Sequence, residues 1–173
     1  MSRENASFHQ LGVFVYSFQL VEREIEDIIV LLMNTDTEMV AILMSELDLS
    51  EKLKTVDVLL ARFIDLRRGI SEGYKAEFHK LVSRILKLCE RRNDLVHSKY
   101  DTWQNIDGKL GLLRQNSKLR ASKGLREELE EELLPEAFDG DVQSISDCLQ
   151  ELEKYRQRIL GWHYDTDDAD QRG

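Results

Sequence analysis

The sequence predicts an all-α protein: an antiparallel helical bundle of about five helices, with a small β-hairpin inserted before the last helices. Three observations predict it. Apolar residues recur at three- and four-residue steps over most of the chain, the period of an amphipathic helix. A single proline in 173 residues is too few for a loop-rich β architecture. The balance of 42% hydrophobic and 33% charged residues sustains a core and argues against disorder. The length suits one helical domain over residues 1–164, with 165–173 as an acidic disordered tail.

The elements follow in order. Residues 5–34 read as a long helix, with Leu11, Val15, Phe18, Ile25, Ile29 and Leu32 along one face. A shorter helix covers 37–47. Ser50 is the expected N-cap of a third, which carries Leu53, Val56, Leu60, Phe63 and Ile64 and ends at Gly69. Ser71 caps a fourth, whose face is Tyr74, Phe78, Leu81, Ile85 and Leu88 and which runs to about His97. The pattern then breaks. The Asp107-Gly108 pair between two apolar runs predicts a β-hairpin over about 100–113. A basic polar stretch to Gly124 precedes a short acidic helix over 125–134, which Pro135 terminates. Asp139, Gly140 and Asp141 open the last helix, striped by Val142, Ile145, Leu149, Leu152 and Ile159.

Bulk charge narrows the function classes. No apolar stretch is long enough to span a bilayer, since 11–33 is interrupted by six charged or amide residues, and no signal peptide is evident. A cytoplasmic protein with no membrane association is the expectation. Cys89 and Cys148 are isolated and read as buried reduced thiols. No Walker loop, HExxH, nucleophile elbow or clustered carboxylate set occurs, so no cofactor and no metal is expected. The chain carries −9, yet residues 84–126 hold eleven basic and four acidic side chains, a local +7. Such a stretch suits a phosphate-binding face.

Two charges interrupt apolar faces. Glu22 falls in the stripe of the first helix and Arg92 in that of the fourth. A buried lone charge costs several kcal/mol, so the two are expected to answer one another, Glu22 supporting Arg92. Asn93 and His97 lie four apart beside Arg92, with Arg91 and Lys99 near, so one helix end presents an arginine, an amide and an imidazole. The plainer alternative makes His97 a C-terminal helix cap, its positive form suited to the negative end of the helix dipole. His9, His79 and His163 are unclustered and read as structural or surface residues.

The run Glu90-Arg91-Arg92-Asn93-Asp94-Leu95-Val96-His97-Ser98 resembles the signature of the HEPN superfamily, in which an arginine, often followed by asparagine, precedes a histidine by five positions near the end of a long helix. Many members of that family are metal-independent endoribonucleases, often toxins or antiviral effectors, that dimerise so that two motifs form one cleft. Others are interaction modules without catalysis. The resemblance implies a homodimer acting on RNA, with Arg92, His97 and Asn93 as catalytic residues, Arg91 and Lys99 as RNA-binding residues, and a cognate antitoxin or partner protein. Some toxin-like members place a tyrosine two residues after the histidine; here Tyr100 is three after His97, which leaves Tyr100 outside the pattern. The chemistry fits the residue types: histidine moves protons near neutral pH, and the planar guanidinium stabilises charge building on phosphate oxygens. The alternative reading is a non-catalytic helical interaction module with a structural Glu22–Arg92 pair.

Overall fold

A computed structural model describes residues 3–120 and 124–170, with side-chain surroundings for 6–117, 124 and 126–164. The described chain is mostly helical, with five α-helices and one three-stranded antiparallel sheet. The helices are α1 (Arg3–Met33), α2 (Thr37–Met44), α3 (Leu49–Asp65), α4 (Gly73–Val96) and α5 (Asp139–Asp170). The strands are β1 (Lys99–Gln104), β2 (Leu110–Arg120) and β3 (Leu125–Leu133), and a single 3-10 turn, Pro135–Phe138, leads into α5. None of these helices is long and apolar enough to cross a membrane.

Local chemistry explains the boundaries. Asp36 starts α2 by accepting hydrogen bonds from the amides of Glu38 and Met39. The cap of α3 is Asp48, not Ser50: its carboxylate accepts from the Glu51 amide while the Glu51 carboxylate accepts from the Asp48 amide, a reciprocal box. Ser71 does serve α4, its Oγ accepting from the Gly73 amide at 3.3 Å. The turn between β1 and β2 is the Asp107-Gly108 turn the sequence predicts, with Gly108 at φ +75° and the Asn105 side chain accepting from the amides of Asp107 and Lys109.

One expected element differs in kind. Residues 125–134 were expected as an acidic helix, but 125–133 form β3, which pairs with β2 from Leu112↔Leu133 to Arg120↔Leu125. Leu125, Leu129 and Leu133 are four apart, a spacing that fits one face of a helix and equally one face of a strand. Pairing with a basic partner strand overrides the helical preference of glutamate. The expected hairpin over 100–113 is therefore the first two-thirds of a three-stranded sheet in the order β1-β2-β3. The last helix also continues to Asp170, past Asp165, where the sequence reading began a disordered tail; residues 171–173 of that tail lie outside the described residues.

The chain forms two compact units, each built from separated stretches. The first comprises Met1–Phe18 and Leu88–Ile145. It buries Phe14, Phe18, Cys89, Leu95, Leu112, Leu133, Phe138 and Ile145, and it contains the whole sheet. Ser7, fully buried, donates its hydroxyl to the Leu133 carbonyl at 3.2 Å, fastening α1 to the end of β3. The second unit comprises Gln19–Lys87 and Ser146–Gly173. Its core holds Val21, Ile25, Ile28, Leu53, Leu60, Phe78, Leu81, Ile85, Leu152 and Ile159. Within it, Lys52 is 5% exposed and its ammonium is held by Glu22 at 2.5 Å and Glu26 at 2.7 Å. Burial alone would lower the Lys52 pKa, but the hydrogen bonds it donates to these two carboxylates outweigh that and hold the amine above its usual range.

Close packing in the first unit makes one glycine obligatory. A Cβ on Gly111 would lie 2.8 Å from the Leu133 carbonyl oxygen, backbone that cannot swing aside. Gly111→Ala is therefore expected to lower stability by about 1–3 kcal/mol, the cost of overpacking, read as a lower denaturant midpoint at unchanged slope.

Candidate functional site

The candidate residues lie where α4 ends, and the sheet supplies what fixes that end. The last turn of a helix leaves carbonyls without intrahelical partners. Here three side chains answer them: Tyr100 donates its hydroxyl to the Leu95 carbonyl at 2.7 Å, the Ser98 hydroxyl donates to the Asp94 carbonyl, and the Asn116 amide reaches the same carbonyl at 3.5 Å. Burial pushes the Tyr100 phenol above its ordinary range. Tyr100 thus caps the helix.

Behind these caps stands an ion cluster. Tyr100, Arg114 and Glu131 are directly opposite one another on β1, β2 and β3. The Arg114 side chain is 6% exposed; its Nη1 donates to Glu131 and its Nε to the Ser98 hydroxyl at 2.8 Å. Arg91, on α4, grips the same Glu131 carboxylate with both terminal nitrogens at 2.8 and 2.6 Å, and its Nε reaches Asp141 at 3.2 Å. The hydrogen bonds from Arg91, and then those from Arg114, hold the Glu131 carboxyl below the usual carboxylate range, and Glu131 in turn raises Arg91. Arg91, expected to contact RNA, is thus engaged by two carboxylates of its own unit.

Glu22 and Arg92, expected to answer one another, belong to different units and are described each in its own. Glu22 is held by Lys52. Of the expected stripe Phe18, Ile25 and Ile29 are buried, but the face also takes in Ser7, Phe14, Val21 and Ile28, so Glu22 lies beside the buried positions rather than among them. Arg92 is half-buried and has no carboxylate partner among the described residues. Its Nη1 donates to the Asn93 side-chain oxygen at 3.1 Å, and its Nε is buried with no hydrogen-bond partner. Asn93 is exposed, and its backbone carbonyl accepts from the His97 amide at 3.0 Å. His97 is exposed and borders a cleft of about 340 Å³ that runs along the extension of β2 and β3 beyond β1. Lys99, Asn116, Ser117 and Arg126 line the same cleft, together with Glu128 and Glu130.

The basic segment over 84–126 is therefore less available than its charge count implies. Arg91 and Arg114 are neutralised by Glu131, Arg84 by Glu151 at 2.6 Å, and Arg126 meets Glu128 at 3.5 Å. Among the described residues, Arg92 and Lys99 near His97 have no carboxylate partner. The remaining histidines lie elsewhere: His79 pairs with Asp57 at 2.6 Å, and the His163 ring contacts the Leu31 carbonyl at 2.9 Å. Cys89 and Cys148 are free and buried. Among the described residues, no group of three or more His, Cys, Asp or Glu side chains gathers as a metal site.

With this geometry in hand, comparison with known proteins gives no match to any family model, any curated protein or any solved structure.

Removing the shared carboxylate tests the cluster. Glu131→Gln leaves the buried Arg114 without its counter-charge and is expected to cost about 2–3 kcal/mol, toward the low end for a broken pair because Glu131 itself is 36% exposed. The pH dependence follows from the lowered Glu131 pKa: its stabilisation is full above the unfolded carboxylate pKa of about 4.3 and is lost as pH falls through the folded value. Thermal melts between pH 7 and 2.5 should show a shallower acid limb for Glu131→Gln than for the wild type.

Proposed function

We propose that this protein is a HEPN-type, metal-independent endoribonuclease whose catalytic residues are Arg92, Asn93 and His97. The observation that carries the reading is the state of Arg92. It is a half-buried guanidinium without a carboxylate partner among the described residues, steered by the Asn93 oxygen, about one turn from an exposed histidine at the mouth of a cleft. Arg91 beside it, and Arg114 and Lys52, are each tied to carboxylates. A cation left uncompensated in a chain of −9 is suited to an anionic ligand.

In this reading the ribose 2′-hydroxyl attacks the adjacent phosphorus while His97 accepts its proton. Arg92 stabilises the charge that builds on the equatorial phosphate oxygens, and Asn93 fixes the guanidinium plane through Nη1. The 5′-oxygen leaves with a proton, and a 2′,3′-cyclic phosphate remains. One chain offers a single histidine at this site, so the second proton-transfer group comes from another copy across a two-fold axis. The bundle of five helices, a toxin or defence role, a cytoplasmic setting and a cognate antitoxin belong to the same proposal.

A second reading has an observation of its own. Glu128 and Glu130 border the cleft beside His97 and oppose a phosphate there. They favour a helical interaction module in which His97 ends α4 without chemistry.

Purified protein is expected to cut single-stranded RNA in EDTA and leave cyclic phosphate ends. His97→Ala should lower the rate by a factor of about 10²–10⁴ with an unchanged melting temperature. Arg92→Ala should do the same, because no ion pair is lost with it. Wild-type cleavage rates in both variants would assign the activity to other residues, and a wild type that cuts no RNA would transfer the reading to the interaction module. Sedimentation velocity should find a dimer; a monomer at high micromolar concentration would remove the two-histidine mechanism.

A further inference from the structure

The second unit carries a basic groove that none of the residues above explains. It has a volume of about 480 Å³ and lies between α4 and α5, with Lys80 and Arg84 on one wall and Lys154 and Arg158 on the other. The two helices meet in opposite residue order here: Arg158 lies over Tyr74, Tyr155 packs on Phe78 with ring centroids 4.8 Å apart, and Arg84 reaches Glu151 at 2.6 Å. Each wall therefore presents two cations four residues apart, about one helical turn and about 6 Å along the axis.

Three of these four cations are uncommitted. Arg84 is matched by Glu151, but Lys80, Lys154 and Arg158 have no carboxylate partner among the described residues, although Glu77 also lines the groove. Arg158 is stacked on aromatic rings. Its guanidinium carbon lies 4.9 Å from the Tyr74 ring centre and 5.0 Å from that of Tyr155. Tyr155 is itself anchored through its hydroxyl to the Tyr74 carbonyl at 3.2 Å. Stacking on two rings holds the fork in place while leaving its N–H edge free, the arrangement in which arginine binds phosphate with little loss of side-chain entropy.

We propose that this groove is a track for the phosphate backbone of single-stranded RNA. The proposal rests on the reading of the protein as one that acts on RNA, and it assigns a binding surface separate from the residues of that chemistry. The two helices are in side-chain contact beneath the groove, as Tyr155 on Phe78 shows, so a strand would lie along the seam between the two rows of cations. Cations one turn apart on each wall match the repeat of successive phosphates along a strand. With two glutamates among the lining residues the groove is moderately positive, so it tracks the backbone without selecting sequence.

The test uses the full-length chain carrying His97→Ala, so that cleavage does not deplete the probe. Affinity for a fluorescein-labelled 20-nucleotide oligouridylate is followed by anisotropy across a salt series. Combining Lys80→Gln, Lys154→Gln and Arg158→Gln should weaken binding at least tenfold. It should also reduce the slope of log affinity against log salt by about 2, since each single-strand phosphate contact contributes about 0.7. Arg158→Lys keeps the charge and should keep the slope. Lys80→Gln alone, at an exposed position, should lower it by about 0.7 and serves if the triple variant does not fold. An unchanged slope in a folded triple variant overturns the proposal. So does displacement of the RNA by equimolar tripolyphosphate, which would make the ligand a small polyanion. Cleavage by the otherwise wild-type protein is scored separately: a groove variant that loses affinity while the parent never cuts RNA upholds the track and overturns only the nuclease reading.

Discussion

The Glu131 carboxylate lies between two arginines that belong to different elements, and the end of α4 takes its shape from that meeting. Arg91 comes from the helix and Arg114 from the neighbouring strand, and each donates to the same acid. Arg114 passes the constraint on through Ser98, whose hydroxyl reaches the Asp94 carbonyl in the last turn of the helix. Neither arginine is a surface charge for which water would serve equally well. With its side chain 6% exposed, Arg114 needs a counter-charge to be buried at all. Position 131 is in reach of both only because residues 125–133 pair as a strand, with Glu131 directly opposite Arg114.

The same cluster changes what the local charge means. Between positions 84 and 126 the sequence is basic, and the acidic strand that follows turns part of that surplus inward, toward its own carboxylates. The cations that remain outward carry the functional argument. Arg92 at the end of α4 and Lys80, Lys154 and Arg158 in the α4–α5 groove stand apart because they have no carboxylate partner among the described residues.

Much of the helical architecture was legible because burial follows the 3.6-residue period wherever a single face is covered. The apolar positions of α3 chosen from the sequence, Leu53, Val56, Leu60, Phe63 and Ile64, are all buried. The first hairpin was legible through its Asp107-Gly108 turn. β3 was not, because leucines four apart satisfy both periods and only the partner strand distinguishes them. Glu22 was misassigned by one position: on a 31-residue helix, two adjacent stripes both look apolar, and Val21 rather than Glu22 faces inward. At the site, the adjacency of Arg92, Asn93 and His97 followed from their spacing on one helix. The partners of Arg91, by contrast, come from 40 and 50 residues downstream, beyond any local pattern, as does Glu131 for Arg114.

Neither compact unit is a continuous piece of chain: the first needs Met1–Phe18 together with Leu88–Ile145, and the second needs Gln19–Lys87 together with Ser146–Gly173. Synthesis from the N-terminus therefore produces half of each unit before the other half exists. Phe14 and Phe18 leave the ribosome long before the strands that cover their unit, and Ser7 waits 126 residues for the Leu133 carbonyl. Closing such distant contacts is entropically costly and slow, and the apolar faces stay open meanwhile to other proteins or to chaperones. A nascent chain stopped before Ile145 completes neither unit, so premature termination yields an aggregation-prone fragment rather than a smaller working protein.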